Sequence, residues 1–168
     1  MLSSIEERKE KLILDLVEAR KNILNAASAL PTRQREVVFL GSWSVMDLLA
    51  HLLGWDYTNM EAVDTILSDQ VPGFFASYDE DWRTYNSHLV AQYKVDDFSK
   101  LVKAMKKSHG ELIRFLRSIP AQEFDRDRGL RSNGDEVTIA DLLQTELKDE
   151  RLHHQQIAEF GSEKNTPV

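Results

Sequence analysis

The chain has 168 residues and a formal net charge of −7, and 42% of its residues are hydrophobic while 29% are charged. This size and composition are typical of one soluble globular domain, and they predict a single domain over residues 1–160 with a frayed tail over residues 161–168. The acidic balance argues against general nucleic-acid binding, and the absence of cysteine excludes disulfides, thiolate metal sites and a cysteine nucleophile.

No apolar run reaches the roughly 18 residues that a membrane span needs, which predicts no membrane contact. The first residues, MLSSIEERKEKL, also lack the apolar core of a signal peptide. We therefore expect the protein to work in the cytoplasm.

The first helical pattern runs from about Ser4 to Ala29, with apolar residues recurring on one face, and Pro31 follows its end. Ser4 and Glu7 have the spacing of a capping box, in which each side chain satisfies a backbone N–H group at the start of a helix. This spacing predicts the position at which the helix begins.

The second helical pattern begins at Ser44 or Val45 and runs to about Ser68. Ser44 is the candidate N-cap, and Asp47 lies near the positive end of the helix dipole. Gly54 lies inside this apolar helix, where it lowers helix propensity by about 1 kcal/mol relative to alanine. A glycine at this point predicts the close approach of another helix or of a ligand.

The chain is broken next at residues 71–73, which read Val-Pro-Gly. Apolar residues then repeat at helical spacing from about Tyr78, and a separate pattern runs from about Asp96 to Ser118. The two patterns predict either one broken helix or two helices, and the sequence leaves both open.

Residues 120–137 form a polar connection in which Asn133-Gly134 predicts a tight turn of the kind found in hairpins. The last helix begins after Thr138, a good N-cap with Asp141 three residues on, and runs to about Phe160. Helices of about 20 residues without convincing strand alternation predict an all-α fold, namely a four-helix bundle.

The last helix breaks the apolar pattern of its own core-facing side. That side is defined by Ile139, Leu142, Leu143 and Ile157. Four polar residues fall within or beside the same sector, namely Glu146, Asp149, Glu150 and His153. Because the unpaired burial of such groups is costly, they indicate a metal ion, pairing with basic groups, or a water-filled cleft at the end of the bundle.

The spacing of these residues allows them to act together, because side chains three or four positions apart are neighbours on a helix. Glu150 and His153 form one Glu-x-x-His motif, which carboxylate-bridged metal bundles use in two copies, so a single-metal site is the simpler hypothesis. His51 could complete this site, since facing helices of a bundle can bring it to the last helix. Two histidines and a carboxylate suit zinc, nickel, manganese or iron(II), with positions left open for water or substrate.

A plainer interpretation fits the same residues. His51 is then a hydrogen-bonded packing residue, and Glu146 and Glu150 pair with basic side chains of the same or other helices. The three tryptophans are then core anchors rather than walls of a ligand site. The residues alone leave the two interpretations open.

Four stretches of the chain resemble the DinB-like superfamily. Residues 43–55 (WSVMDLLAHLLGW) resemble its second-helix signature, and Leu53-Gly54-Trp55 within them most resembles the ClbS/DfsB branch. Residues 81–86 (DWRTYN), 112–124 (LIRFLRSIPAQEF) and 150–157 (ERLHHQQI) resemble the same branch, so the resemblance spans nearly the whole chain.

This resemblance implies a four-helix bundle, often a homodimer, with a metal site between its helices. The family pattern places one histidine at His51 and two more, four residues apart, near the end of the last helix. His153 stands at the second of these positions, but Asp149 stands at the first, where a metal-binding member carries histidine. The resemblance therefore implies His51, Asp149 and His153 as ligands of one divalent metal (zinc, nickel, manganese or iron), with binding either altered or lost through Asp149. A one-residue slip of the alignment selects His51, Glu150 and His154 instead.

The activities known in the superfamily include thiol-dependent transfer and isomerisation, and hydrolytic protection against reactive natural products. The resemblance accordingly implies an enzyme that acts on a small electrophilic substrate by hydrolysis or thiol addition. Glu150 or Glu146 would serve as its general base or support its metal ligands. Trp55, Trp82 and Tyr85 would line its pocket. Two alternatives are a non-catalytic protein that binds a small molecule in the same cavity, and a plain dimeric scaffold.

Overall fold

The structure, a computed structural model, describes residues 3–163. These residues form five α-helices and one short two-stranded sheet. The elements in chain order are α1 (Ser4–Ala29), α2 (Val45–Leu67), α3 (Phe74–Tyr93), α4 (Phe98–Ser118), β1 (Arg131–Ser132), β2 (Asp135–Glu136) and α5 (Ile139–Glu163), with short 3-10 helices at Thr32–Glu36 and Ala121–Glu123. The fold is mostly helical, as the all-α prediction requires, but it has five long helices where the sequence predicts a bundle of four. Over the described residues, none of these helices is long and apolar enough to cross a membrane.

The fifth helix comes from the segment for which the sequence leaves one broken helix or two open. α3 and α4 are separate helices, and the side chain of Asp97 caps the start of α4. α3 starts at Phe74, before the predicted start at Tyr78, and it departs from helical geometry at Asp81, where φ is −152° and ψ is 83°. The turns before this kink place Phe74 and Tyr78 against the indole of Trp55 in α2.

The predicted cap of α1 is wrong by one residue. The capping box is formed by Ser3 and Glu6, with reciprocal hydrogen bonds between side chains and backbone, and not by Ser4 and Glu7. The same spacing occurs twice in succession because the sequence reads Ser3-Ser4 and Glu6-Glu7. The pattern alone therefore cannot choose between two registers that differ by one residue.

The predicted caps of α2 and α5 are confirmed. The Ser44 hydroxyl accepts from the Asp47 N–H at 3.2 Å, and the Asp47 carboxylate accepts from the Ser44 N–H at 2.9 Å. The Thr138 hydroxyl accepts from the Asp141 N–H at 3.1 Å. α5 continues to Glu163, past the predicted end of the helix, and residues 164–168 of the expected tail lie outside the described residues.

The most extensive helix contacts join α1 to α5 and α2 to both α3 and α4, and smaller contacts join α1 to α4 and α2 to α5. Buried apolar side chains form two core clusters, one that contains Leu16 and another that contains Leu49. Gly54 lies where α2 meets α3, and an added Cβ there would stand 2.9 Å from Cδ2 of Tyr93 and 3.0 Å from Cβ of Leu89. The predicted close approach of another helix at this glycine is therefore confirmed.

The β1 and β2 strands form an antiparallel hairpin in which Arg131 pairs with Glu136. Its two turn residues have positive φ, 51° at Asn133 and 86° at Gly134, as a type I′ turn requires. This confirms the predicted tight turn. Nδ2 of Asn133 donates to Oδ2 of Asp79 at 2.7 Å, so the hairpin is tied to α3.

Candidate functional site

A cavity of about 570 Å³ opens between α2, α3 and α5, beside the turn at residues 40–43. Its lining includes most of the residues that the sequence singles out, namely His51, Trp55, Trp82, Glu146, Asp149 and His153. We call it the histidine cavity. Two further candidates, Glu150 and Tyr85, lie outside this lining.

The rings of His51 and His153 meet edge to face, with centroids 5.5 Å apart and an interplanar angle of 89°. His51 is 6% exposed, and its Nδ1 atom has no hydrogen-bond partner within residues 3–163. Burial, together with the nearby His153 and Arg20, lowers the pKa of His51 to about 3. His51 is therefore a neutral imidazole at neutral pH, which is the form that binds metal ions.

His153 is oriented by a neighbour on its own helix. Its Nδ1 atom lies 2.8 Å from Oε1 of Gln156. Because an amide oxygen can only accept, the imidazole donates from Nδ1, and its lone pair lies on Nε2. Metal-binding histidines are commonly held in this way, with one ring nitrogen donating to an acceptor and the other left for the metal.

Asp149 lies exposed at the edge of the histidine cavity, four residues before His153. The surrounding protein partly excludes water from its carboxyl and so raises the pKa of that group, and the nearby His153 partly offsets the change. Among the described residues, the ligand atoms of His51, Asp149 and His153 do not all come within 4.8 Å of one another. The structure thus supplies a pair of histidines with a carboxylate beside them, rather than three converged ligands.

Glu146 is the buried acid of the histidine cavity, with 8% of the residue exposed. Burial, together with the charge of Glu150 one turn further on, raises the pKa of its carboxyl to about 8. The amide of Asn59 and the charge of Arg20 only partly offset this. A carboxyl with a pKa near neutrality can both hold and release a proton at physiological pH, as a general acid or base must.

Glu150 belongs to a buried ion-pair network beside the histidine cavity. The guanidinium of Arg20 donates to Glu150 from Nη2 at 2.6 Å and to Asp56 from Nη1 at 2.8 Å. The Ser108 hydroxyl donates to the Asp56 carboxylate at 2.5 Å, and Nδ1 of His109 lies 3.3 Å from it. Glu150 thus pairs with an arginine of another helix, as the plainer interpretation expects, and its carboxylate is engaged there.

This network could itself hold a metal ion, because ligand atoms of Asp56, His109 and Glu150 all lie within 4.8 Å of one another and all three residues are buried. Arg20 already brings a positive charge to both carboxylates, so a metal would compete with a guanidinium for the same oxygens. Nδ1 of His51 and Nε2 of His109 are both buried without a hydrogen-bond partner among the described residues, so this feature does not separate the two sites. The histidine cavity is the better fit because its two histidines line an open cavity, whereas the carboxylates of the network are already paired with Arg20.

The aromatic wall of the histidine cavity comes from α2 and α3. Nε1 of Trp55 donates to Oδ1 of the buried Asn86 at 3.1 Å, which fixes the indole in place. Trp82 is 49% exposed, so its ring is open to a ligand that enters the cavity. Tyr85 packs against Trp55 with ring centroids 5.7 Å apart, and Tyr78 lines the cavity in its place.

Among the buried polar residues that sequence reasoning missed, three lie in α1 and α2, namely Arg20, Asp56 and Asn59. Each lies inside the apolar stripe of its helix, which is the signal that singles out Glu146 and Glu150 in the last helix. The same helical-wheel test, applied to α1 and α2, identifies all three as candidates.

A family model described as the DinB superfamily matches residues 15–157. The match runs from α1 to α5, and it includes the histidine pair and the whole ion-pair network. It does not separate the branches within the superfamily. No curated protein and no solved structure matches the chain significantly.

Proposed function

The chain belongs to the DinB superfamily, and from this premise we propose that it is a metal-dependent enzyme of the ClbS/DfsB-like branch. It acts on a small electrophilic substrate, by hydrolysis or by addition of a thiol, within the histidine cavity. The observation that carries the proposal is the meeting of His51 and His153 in the wall of a cavity that also holds Glu146.

The burial of this histidine pair supports a functional role. An unpaired polar atom in the protein interior typically costs about 1–3 kcal/mol, and Nδ1 of His51 is such an atom within residues 3–163. An apolar side chain at that position would avoid this cost. Features that destabilise the fold locally are most often retained where they serve a site.

The two histidines would hold a divalent ion, with Asp149 as the third ligand at the edge of the cavity. When bound, the ion supplies Lewis acidity toward the electrophilic group of the substrate. The hydrogen bond from His153 to Gln156 keeps the lone pair of Nε2 available for it.

The acidic and aromatic residues around the histidine pair have separate roles in this proposal. Glu146 holds a proton at neutral pH and can deliver it to a leaving group, because burial and the nearby Glu150 keep the pKa of its carboxyl high. Glu150 acts through this charge and through its pair with Arg20, so it is a positioning residue. Trp55 and Trp82 bind the apolar part of the substrate and exclude water.

Elemental analysis of untagged protein, purified without chelator, tests the metal site. We expect close to one divalent ion per chain, retained in His154→Ala and lost in His153→Ala. His154 is a matched control because it is the adjacent histidine and lies outside the lining of the histidine cavity. Asp149→His should bind the ion more tightly in competition with a chromogenic chelator, since it restores the family's third histidine. Metal-free protein for both the parent and Asp149→His, with both folded, would contradict the proposal.

A second candidate function is the binding of a small molecule without turnover. It is favoured by the half-exposed ring of Trp82, against which the guanidinium of Arg83 lies 4.5 Å from the centroid. Such a surface can adapt to a ligand but has no reacting group. Electrophiles that quench tryptophan fluorescence and are recovered unchanged would favour this function, whereas turnover that His153→Ala abolishes would exclude it.

A further inference from the structure

A second cavity, of about 360 Å³, shares the wall formed by Trp55, Tyr78, Glu146 and Asp149 with the histidine cavity. It lies between α2, α3, α5 and the β1–β2 hairpin. Six carboxyl side chains of the described residues line it, namely Asp79, Asp135, Glu136, Asp141, Glu146 and Asp149, and of these Glu146 holds its proton at neutral pH. Its described lining contains no lysine, arginine or histidine, so we call it the acidic cavity.

The negative charge of this cavity is not cancelled by its hydrogen bonds. Asp79 and Asp141 accept at 2.7 and 2.8 Å from the side chains of Asn133 and Thr138, which are neutral donors. Burial raises the pKa of the Tyr78 hydroxyl, and the carboxylates around it raise that pKa further. The acidic cavity therefore favours a ligand that carries a positive charge.

Asn59 supplies an independent sign of a ligand. The residue is 1% exposed and lines the acidic cavity. Its amide interacts with the carboxyl of Glu146 and lowers the pKa of that carboxyl, whereas Oδ1 has no hydrogen-bond partner within residues 3–163. Leaving a buried amide oxygen unpaired is costly, and a ligand that donates to Oδ1 would remove that cost.

The remaining wall of the acidic cavity is aromatic. The ring of Trp55 lies 5.3 Å from that of Phe74 and 5.6 Å from that of Tyr78, both edge to face, and Phe75 lines the same space. Aromatic faces bury apolar groups and also attract cations. The wall thus suits a ligand with an apolar body next to its charge.

We propose that the acidic cavity binds the primary ammonium group of a small organic amine, whose apolar body lies against Trp55, Phe74 and Tyr78. Oδ1 of Asn59 accepts one ammonium N–H, and the surrounding carboxylates balance the charge. A quaternary ammonium has no N–H to donate, and an alcohol has no charge, so both bind more weakly.

The shared wall extends this inference to the substrate. A molecule that spans both cavities carries an amine beside its electrophilic group, with the electrophile at the histidine pair and the ammonium at Asn59. This step rests on the proposed function, whereas amine binding by itself does not.

Calorimetric titration of the full chain with 2-phenylethylammonium chloride tests the site, with 2-phenylethanol and the trimethylated amine as comparison ligands. We expect the primary amine to bind at least about tenfold more tightly than the alcohol, since a hydrogen bond to a charged group contributes at least that factor. Equal affinities for the amine and the alcohol would overturn the proposal.

Two substitutions locate the binding. Asn59→Leu should weaken amine binding by about tenfold while leaving the melting temperature unchanged or higher, because it removes a buried amide oxygen that has no partner among the described residues. Asp135→Asn, at the exposed edge of the acidic cavity, should weaken amine binding by about threefold. Glu36→Gln is the control, because it removes an exposed carboxylate outside both cavities and should leave amine binding unchanged. Unchanged amine binding in folded Asn59→Leu would refute the site.

His153→Ala should still bind the amine, so loss of the metal and loss of the amine are distinguishable.

Discussion

Replacing Arg20 by leucine removes the positive centre of the buried ion-pair network that joins α1, α2 and α5. Arg20 is 2% exposed, and its partners Asp56 and Glu150 are each 1% exposed. The substitution leaves two buried carboxylates without a cation, a loss that typically costs about 3–5 kcal/mol. We expect the melting temperature to fall by about 6–20 °C, at about 2–4 °C per kcal/mol for a chain of this length.

The size of this loss should depend on pH. Burial by itself would raise the pKa of Asp56, but Arg20 and His109 outweigh burial and lower that pKa from 3.8 to about 2. Because the pKa is lower in the folded chain than in the unfolded chain, the stabilisation is present above about pH 4 and is lost as the pH falls toward about 2. This shift corresponds to about 2 kcal/mol, a large part of the expected loss.

Urea unfolding followed by circular dichroism, at pH 7 and at about pH 3, measures the difference between the parent and Arg20→Leu. That difference should be smaller at the lower pH, because the stabilisation of the parent is partly lost there and the unpaired carboxyls of the variant are protonated. Arg20→Lys keeps the charge but loses the two-pronged hydrogen bonding, and it should be intermediate in stability.

Arg8→Leu is the matched control for the loss of an ion pair. It breaks a 3.0 Å pair with Asp125 in which the side chains are 60% and 50% exposed, and such exposed pairs contribute less than about 1 kcal/mol. If Arg20→Leu lost no more stability than Arg8→Leu, or lost the same amount at both pH values, the network would not stabilise the fold through its charges.

Two further substitutions test the buried acid and the glycine contact. The fold raises the pKa of Glu146 from 4.5 to about 8, so its protonated carboxyl stabilises the parent below about pH 4.5 and that contribution is lost as the pH rises through about 8. The denaturation midpoint of Glu146→Gln should vary less across this window, and identical pH profiles would contradict the raised pKa. Gly54→Ala should lower the free energy of unfolding by about 1–2 kcal/mol, because contact with Tyr93 and Leu89 outweighs a helix-propensity gain of about 1 kcal/mol. Gly110→Ala, whose nearest contact would be 4.0 Å away, should instead gain up to about 1 kcal/mol, and equal effects of the two in thermal unfolding would refute the packing argument.

The candidate site was only partly predictable from the sequence. The helical wheel identified Glu146, Asp149, Glu150 and His153 as polar residues within or beside the core-facing sector of the last helix. Glu146, Glu150 and His153 are at least half-buried, whereas Asp149 is exposed. The wheel could not assign their partners, because it describes one helix and not the helices that face it. In the structure Glu150 meets Arg20 of α1, whereas His153 meets His51 of α2.

By itself, the sequence determined the features that depend on a few adjacent residues. The caps at Ser44 and Thr138 and the turn at Asn133-Gly134 belong to this class, because each requires only side-chain chemistry or a positive φ within four residues. Even here, the repeated Ser-x-x-Glu spacing at the start of α1 left the cap uncertain by one residue.

Only the tertiary structure decided which polar groups come together and which space stays open between the helices. Arg20 reaches Glu150 across 130 residues, and Trp55 reaches Asn86 across 31, through contacts that no local spacing encodes. The first turns of α3, before the kink at Asp81, likewise lie against α2 and contribute Tyr78 to the wall shared by the two cavities. Helical periodicity specifies the buried face of each helix, but the packing of the helices selects the partner of that face.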